Sequence, residues 1–286
     1  MKMNNNQHKY LEVKDHSVSG ETFQLIPVGK EGMLKTEPQP KPENLQNYYK
    51  SEDYISHTDG KRNLFERCYH FVKSIALRRK LKLINRFNFK DKQLLDVGCG
   101  TGDFLQLALN NGWSISGIEP NEKARALANV KTKDSVFDGD YLKKLPDHYF
   151  DVITLWHVLE HLPNLEEHIV QLKKLLKPNG RIVIAVPNYK SFDAEYYNSF
   201  WAAYDVPRHL WHFSQKSIEA IFKNHDLILE NTTPMLFDAF YVSLLSEKYK
   251  SGAMNPVKAF WIGLRSNLKA KHSGEYSSFI YTFKNA

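Results

Sequence analysis

The sequence predicts an α/β fold, a mostly parallel sheet with helices on both faces, from three observations. From about residue 61 apolar strand-like runs alternate with helical patterns, as a parallel sheet requires, because each crossover between parallel strands needs a connecting element. One such run, Leu94-Leu95-Asp96-Val97, passes into Gly98-Cys99-Gly100-Thr101-Gly102-Asp103-Phe104, with a glycine at every second position between strand and helix. The next run, Ser114-Ile115-Ser116-Gly117-Ile118, ends in the acid Glu119.

The elements follow in order. Residues 1–60 differ in texture: Pro38, Pro40 and Pro42 interrupt them, and short strands are expected near Leu11–Val13 and Thr22–Pro27, then a linker and a short helix. A helix over 61–88 has Phe71, Val72, Ile75, Leu81, Ile84 and Phe87 at helical spacing. Strand 93–97, helix 102–111 and strand 113–119 come next. Pro120 cannot extend that strand, and Asn121 can cap a helix over 121–130. A short strand near 135–138, a strand over 150–155 ending at Trp156, and a helix over 164–176 follow. Lys177-Pro178-Asn179-Gly180 is a breaker before strand 181–186. Residues 189–213 are rich in aromatics, Ser214 can cap a helix over 215–224, and strand 227–233 leads to apolar helical stretches from Phe237 to Leu268. A final strand runs from Ser278 to Phe283.

Composition narrows the function classes. The 286 residues are 42% hydrophobic and 25% charged, which suits a soluble protein with a substantial core. No apolar run reaches the ~18 residues of a membrane span, and Met1 to Tyr10 holds no apolar signal core. Two cysteines imply no disulfide framework and fit a reducing cytoplasm. The net charge is +7, and Lys73, Arg78, Arg79, Lys80 and Lys82 gather on one expected helix. That segment reads as the solvated face of an amphipathic helix, with a nucleic-acid face as the rival.

The glycine turn lets backbone lie against a ligand. Dinucleotide sites space their glycines G-x-G-x-x-G to seat a pyrophosphate on the helix N-terminus. Here Asp103 stands at the last of those positions, and its charge repels a pyrophosphate and suits a ligand with a positive amino group. Glu119, roughly 20 residues on from the glycines, stands where a carboxylate holds a ribose diol.

Asp96-Val97-Gly98-Cys99-Gly100-Thr101-Gly102-Asp103 resembles the first motif of the class I S-adenosylmethionine-dependent methyltransferases. Phe150-Asp151-Val152-Ile153-Thr154-Leu155-Trp156-His157-Val158-Leu159-Glu160-His161-Leu162-Pro163-Asn164 is similar to that family's fourth-strand motif. The resemblance implies a Rossmann-like seven-stranded sheet, mostly parallel with an antiparallel last strand, and therefore a helical insertion over 237–272. It implies S-adenosyl-L-methionine as cofactor, with Asp96, Gly98, Cys99, Gly100, Thr101, Gly102, Glu119 and Pro120 about it. After the third strand it implies an acid for the adenine amino group beside a stacking residue, Asp140 with Tyr141; Asp138 is the rival acid. After the fifth strand it implies a flap over 189–213, in which Tyr204, Arg208 and His212 are candidates for substrate contact. The stretch from Val18 to His57 resembles the start of a bacterial small-molecule subgroup that begins with a zinc-ribbon-like arm. Val28-Gly29-Lys30-Glu31-Gly32 stands where a C-x-x-C pair is expected, so residues 1–60 are expected to be a metal-free remnant packed on the domain 61–286.

Strand ends at the carboxyl edge of an open α/β sheet face the ligand crevice, which puts Trp156 and His157 near the transferred methyl. His157 is a candidate general base, or a histidine that only lines the pocket, and His209 is the alternative base. His157-Val158-Leu159-Glu160-His161 also spells H-x-x-E-H, a zinc-peptidase pattern, but it straddles a strand end rather than lying in a long helix. Glu160 and His161 match positions of a divalent-metal site in quinone-biosynthesis O-methyltransferases; His157 replaces the first acid there, and no metal is expected. The chain lacks the N/D-P-P-aromatic turn of adenine methylation after its fourth strand, and it lacks a nucleophilic cysteine for cytosine. A small-molecule acceptor, an oxygen nucleophile, with no nucleic-acid partner is therefore expected. The alternatives are a non-catalytic S-adenosylmethionine-binding scaffold and a nicotinamide-dependent dehydrogenase.

Overall fold

A computed structural model describes residues 9–29, 31–49 and 64–286. The string Tyr54-Ile55-Ser56-His57 lies outside them, as do positions 61–63. The chain forms β1 (Leu11–Lys14), β2 (Thr22–Val28) and β3 (Met33–Glu37), a helical turn Pro42–Leu45, then α1 (Leu64–Asn85), β4 (Gln93–Val97), α2 (Asp103–Leu109), β5 (Ser114–Ile118), α3 (Glu122–Thr132) and β6 (Val136–Phe137). It continues with β7 (Phe150–Trp156), α4 (Leu165–Leu175), β8 (Leu176–Pro187), α5 (Phe192–Tyr197), β9 (Trp211–His212), α6 (Gln215–Lys223), β10 (Leu227–Pro234), α7 (Asp238–Ser251), α8 (Pro256–Ser273) and β11 (Ser278–Asn285).

The large sheet has the order β10-β11-β8-β7-β4-β5-β6. Five strands, β6, β5, β4, β7 and β8, run parallel, and β11 lies antiparallel between β8 and β10. The period-2 pleat of β4 divides the core. Leu95 and Val97 face one side with Ile153, Leu155, Ile182, Ile184 and the α4 residues Ile169 and Leu172. Leu94 faces the other with Val152, Val183, Ile84 of α1 and Leu105 of α2. Asp96, two residues from Leu94, shares that second face and is buried among apolar groups.

Local chemistry explains the ends. Asn121 caps α3 by accepting from Ala124 N at 3.0 Å. Ser214 caps α6, with a reciprocal bond from Ser214 N to Ser217 Oγ. The breaker at Lys177–Gly180 ends α4 but does not interrupt the extended chain, so β8 begins at Leu176 rather than 181. The four residues form a bulge between the pairs Phe150↔Leu176 and Val152↔Arg181.

Two strands escaped the sequence reading. β3 continues the N-terminal meander, and β9, from the flap, pairs with it through Leu34↔His212 and Lys35↔Trp211. Arm and flap thus share one four-stranded sheet and one core: Phe23, Leu25 and Leu34 pack with Tyr197, Trp201, Tyr204 and Val206. Fully burying a side chain such as Leu25 or Leu34 contributes about 1.5–3 kcal/mol, so the arm is anchored to the flap by its apolar face.

Candidate active site

The glycine turn leaves the tip of β4. Gly98 and Cys99 N–H both donate to the Ile118 carbonyl, at 2.7 and 3.1 Å, tying the turn to β5. All three glycines have positive φ, 70°, 55° and 76°, a conformation that is costly for other residues. Their surroundings differ. A Cβ on Gly98 would lie 2.4 Å from Val158 Cγ2, and one on Gly102 would lie 2.9 Å from Ala128 Cβ. A Cβ on Gly100 would meet none of the described residues within 4 Å. Gly98 and Gly102 thus serve close packing, and Gly100 presents bare backbone to open space.

Glu119 stands beside it, 4% exposed. Its Oε2 accepts from Gly100 N and its Oε1 from Asn121 N, both at 2.9 Å. Burial pushes its carboxyl above the ordinary range, while the two backbone N–H groups pull the other way. Arg125 Nη1 donates to the Glu119 and Pro120 carbonyls and fixes the strand end. Thr101 Oγ1 donates to Asp103, and the Cys99 thiol is held up by burial.

Asp103 corrects one expectation. Its carboxylate is bound by Lys73 at 2.5 Å and Lys131 at 2.7 Å, so it is not left to receive a ligand ammonium. Asp96 is another buried acid of the site. Thr154 Oγ1 donates to it at 2.6 Å, and burial pushes it up to about 7, against that bond and the Lys80 charge. In the sequence Lys80 stands only as part of a basic helix face. It turns inward, its Nζ 4.4 Å from the centre of the Trp156 ring. Burial pulls its ammonium down to about 8, with Asp96 and Asp238 opposing. Lys80 follows two exposed arginines, and no spacing signal separates it from them.

Asp138 caps the 3-10 turn Gly139–Lys144 by accepting from Tyr141 N through Oδ1, and both Asp138 and Asp140 are exposed at that edge. Tyr141 stacks on Phe137 with centroids 4.1 Å apart, a flat aromatic platform of which only Tyr141 was anticipated.

His157, at the end of β7, has φ of 57°. Its Nε2 lies 3.2 Å from Asp238 Oδ2 and its Nδ1 3.5 Å from Glu160 Oε1. Burial disfavours its charge, but Asp238 and Glu160 prevail and raise it to about 10. An imidazolium has no lone pair, so at neutral pH this histidine is not poised as a base. Asp238 opens the helical insertion, and its role here had no signal in the sequence.

The flap candidates turn inward. Tyr204 is buried in the arm–flap core. Arg208 binds the Asp205 carboxylate through Nε and Nη2 and donates Nη1 to the Tyr48 carbonyl at 2.9 Å. His212 Nε2 lies 2.9 Å from Thr36 Oγ1, and burial pulls its pKa well down. The cavity beside His209 and His212 holds about 10 Å³, room for about one water. These three residues bind the flap to the arm.

One further cluster stands behind His157. Glu160 is buried, and among the described residues neither carboxylate oxygen has a hydrogen-bond partner, although His157 Nδ1 stands 3.5 Å from Oε1. His209 Nε2 approaches it at 4.0 Å, while His209 Nδ1 lies 2.9 Å from the Ala203 carbonyl. His161 Nδ1 lies 3.0 Å from the Arg208 carbonyl. With the proton on each Nδ1 both Nε2 lone pairs are available, as backbone carbonyls arrange in metal-binding histidines, and the Tyr49 hydroxyl, 2.9 Å from His161 Nδ1, shares that nitrogen with the Arg208 carbonyl. Ligand atoms of Glu160, His161 and His209 lie within 4.8 Å of one another, so this trio could share a divalent cation although no metal was expected.

A family model described as "Methyltransferase domain" matches residues 69–231. The ubiquinone biosynthesis O-methyltransferase of Azoarcus sp. is 34% identical over 104 residues, covering 34% of this chain and 45% of the relative. The protein of the same name from Saccharophagus degradans is 29% identical over 110 residues, covering 36% and 47%. The chain thus matches about half the length of these curated relatives. Among solved structures, magnesium protoporphyrin IX methyltransferase from Synechocystis, with bound S-adenosylhomocysteine, aligns with TM-score 0.57 at 14% identity, over 86% of this chain and 100% of that one. A Burkholderia thailandensis 1,6-didemethyltoxoflavin-N1-methyltransferase aligns with TM-score 0.52 at 13% identity, over 96% and 100%. At such identities the two structures speak for the fold alone. The family match covers more than half of the chain and includes the glycine turn, Glu119 and the end of β7; this chain belongs to the methyltransferase domain family.

Proposed function

We propose that the chain transfers a methyl group from S-adenosyl-L-methionine directly, in line, to a small-molecule acceptor, an oxygen nucleophile, in a cytoplasmic setting. The observation that carries this reading is the bare backbone of Gly100 beside the buried carboxylate of Glu119, at the tips of neighbouring strands. The residues suit the cofactor: a Cβ-free surface, a carboxylate with lone pairs left for a ribose diol, and an aromatic platform with Asp140 at its edge. When bound, the cofactor supplies an electrophilic methyl on a sulfonium centre. The chain's part is alignment and charge. Glu119 holds the ribose, Asp140 and the Phe137–Tyr141 pair meet the adenine, and Trp156 walls the transfer region.

The acceptor hydroxyl passes its proton to solvent water as its oxygen takes the methyl, and the positive charge of His157, held as an imidazolium by Asp238 and Glu160, stabilises that oxygen as the proton leaves. Alignment of donor and acceptor does most of the remaining work. His209, buried behind Glu160, acts through that carboxylate as a positioning residue. The names of the curated relatives, which are O-methyltransferases, support oxygen as the accepting atom. Calorimetry with S-adenosylhomocysteine and NAD, followed by a turnover assay over hydroxyl acceptors, tests the reading. Binding of the first ligand with turnover supports it. Binding without turnover of any acceptor returns the scaffold alternative, and preference for NAD returns the dehydrogenase.

A further inference from the structure

Helix α8 is apolar on two opposite faces. Ala259, Ile262, Gly263, Ser266 and Ala270 are buried against the body. Gly263 admits Phe240 of α7 so closely that a Cβ there would lie 2.8 Å from its ring. The opposite face is in solvent: Val257 is 70% exposed, Phe260 53%, Trp261 61% and Leu268 49%. With half-buried Leu264, these side chains fall within an arc of about 100° at 3.6 residues per turn. An apolar stripe of that width ordinarily faces a core; this one faces outward. The foot of α7 extends it. Leu236 and Phe237 are exposed, the Leu236 carbonyl accepts from Asn267 Nδ2 at 2.9 Å, and Phe240 stacks on Phe260 at 5.5 Å.

Charge selects the partner. Helix α8 carries Lys258, Arg265, Lys269 and Lys271 and no acidic residue. Lys258, Arg265 and Lys269 lie together on one flank, about 80–120° around the helix from Val257. Arg265 and Lys269 are held over the Phe192 ring at 5.2 and 4.0 Å, and Lys258 pairs with Glu247 at 3.1 Å. Beyond Phe237, the Arg79 guanidinium lies 5.2 Å from that ring's centre, which joins the basic face of α1 to the same surface.

We propose that the α7–α8 hairpin seats on the surface of an anionic lipid bilayer, with Val257, Phe260 and Trp261 in the interface and the flanking Lys and Arg at the headgroups. Aromatic and aliphatic groups on one face with cations beside them are the features that bind helices in the interfacial plane. Among the described residues no helix is long and apolar enough to cross a membrane, so the contact is lateral. A second copy meeting the same face would oppose like charges, which disfavours it. The surface adjoins the candidate site, because Asp238, one residue from Phe237, pairs with His157 at 3.2 Å. A bilayer-dissolved acceptor would then arrive along the foot of α7, a consequence that alone rests on the methyl-transfer reading.

The test is sedimentation of the full chain with vesicles of phosphatidylcholine alone and with about one third phosphatidylglycerol. Binding is expected to the anionic vesicles, falling with added salt. The double variant Val257→Ser, Trp261→Ser is expected to lower the partition coefficient about tenfold or more. Arg265→Gln with Lys271→Gln is expected to lower it about 25-fold, at roughly fivefold per charge. Calorimetry of both variants with S-adenosylhomocysteine reports folding, and vesicle binding needs no turnover, so failure here is distinct from failure of the methyl-transfer reading. Three results would overturn the proposal: no binding to either vesicle, binding that both double variants retain, or a dimer that the Val257, Trp261 variant dissociates while the wild type ignores vesicles.

Discussion

Gly100→Ala and Gly102→Ala separate a ligand-facing glycine from a packing glycine within one turn. Both positions have positive φ, 55° and 76°, so both alanines carry the left-handed cost of about 1–2 kcal/mol. The contacts then divide them. The Gly102 methyl meets Ala128 Cβ at 2.9 Å and Cα at 3.0 Å, the latter in the backbone of α3, which cannot step aside. Overpacking of that kind adds about 1–3 kcal/mol. The Gly100 methyl meets none of the described residues within 4 Å and adds no packing cost against them. Denaturant unfolding is therefore expected to find Gly102→Ala about 1–3 kcal/mol less stable than Gly100→Ala. The same methyl at 100 stands in the space assigned to the cofactor, so calorimetry is expected to show S-adenosylhomocysteine binding weakened about tenfold or more in Gly100→Ala. Equal stabilities, or wild-type affinity in Gly100→Ala, would refute the assignment of roles within the turn.

Other outcomes follow from the same geometry. His157 is raised to about 10 from an ordinary 6.5, so its stabilisation is complete below about pH 6.5 and is lost as pH rises through about 10; the Tm gap between wild type and His157→Gln is expected to close over that window, and a gap that widens with pH contradicts the imidazolium. Arg208→Ala leaves the Asp205 carboxylate without its partner and frees the Tyr48 carbonyl; a loss of about 3 kcal/mol in unfolding free energy is expected, with S-adenosylhomocysteine affinity unchanged, whereas a stable variant with raised acceptor KM would return Arg208 to substrate contact. If Glu160, His161 and His209 share a cation, Zn²⁺ or Mn²⁺ added to chelator-treated protein raises Tm and Glu160→Gln abolishes the rise; equal response in both proteins removes the cluster as a metal site.

What the sequence made legible was mostly local. Three glycines at alternate positions, an acid at the end of the next strand and the apolar alternation from 61 onward are short-range patterns. The sheet they imply is the observed one. What escaped it was decided by residues distant in the chain. β9 has two residues and exists because β3 offers it an edge. Arg208 and His212 looked like substrate ligands because a polar side chain in an aromatic flap has no visible partner; Tyr48 and Thr36 are those partners. Asp103 looked available for a ligand until Lys73 and Lys131 met over it. Asp238, which sets the charge of His157, comes from an insertion whose helices were anticipated but whose contact with the site was not.

The crevice between Gly100 and Glu119 carries the proposed function, and a crystal of the chain grown with S-adenosylhomocysteine examines it most directly. The expected density runs along 98–102, with both ribose hydroxyls on the Glu119 carboxylate and the adenine beside Tyr141. Density for the ligand elsewhere, or a ribose that leaves Glu119 untouched, would contradict the account.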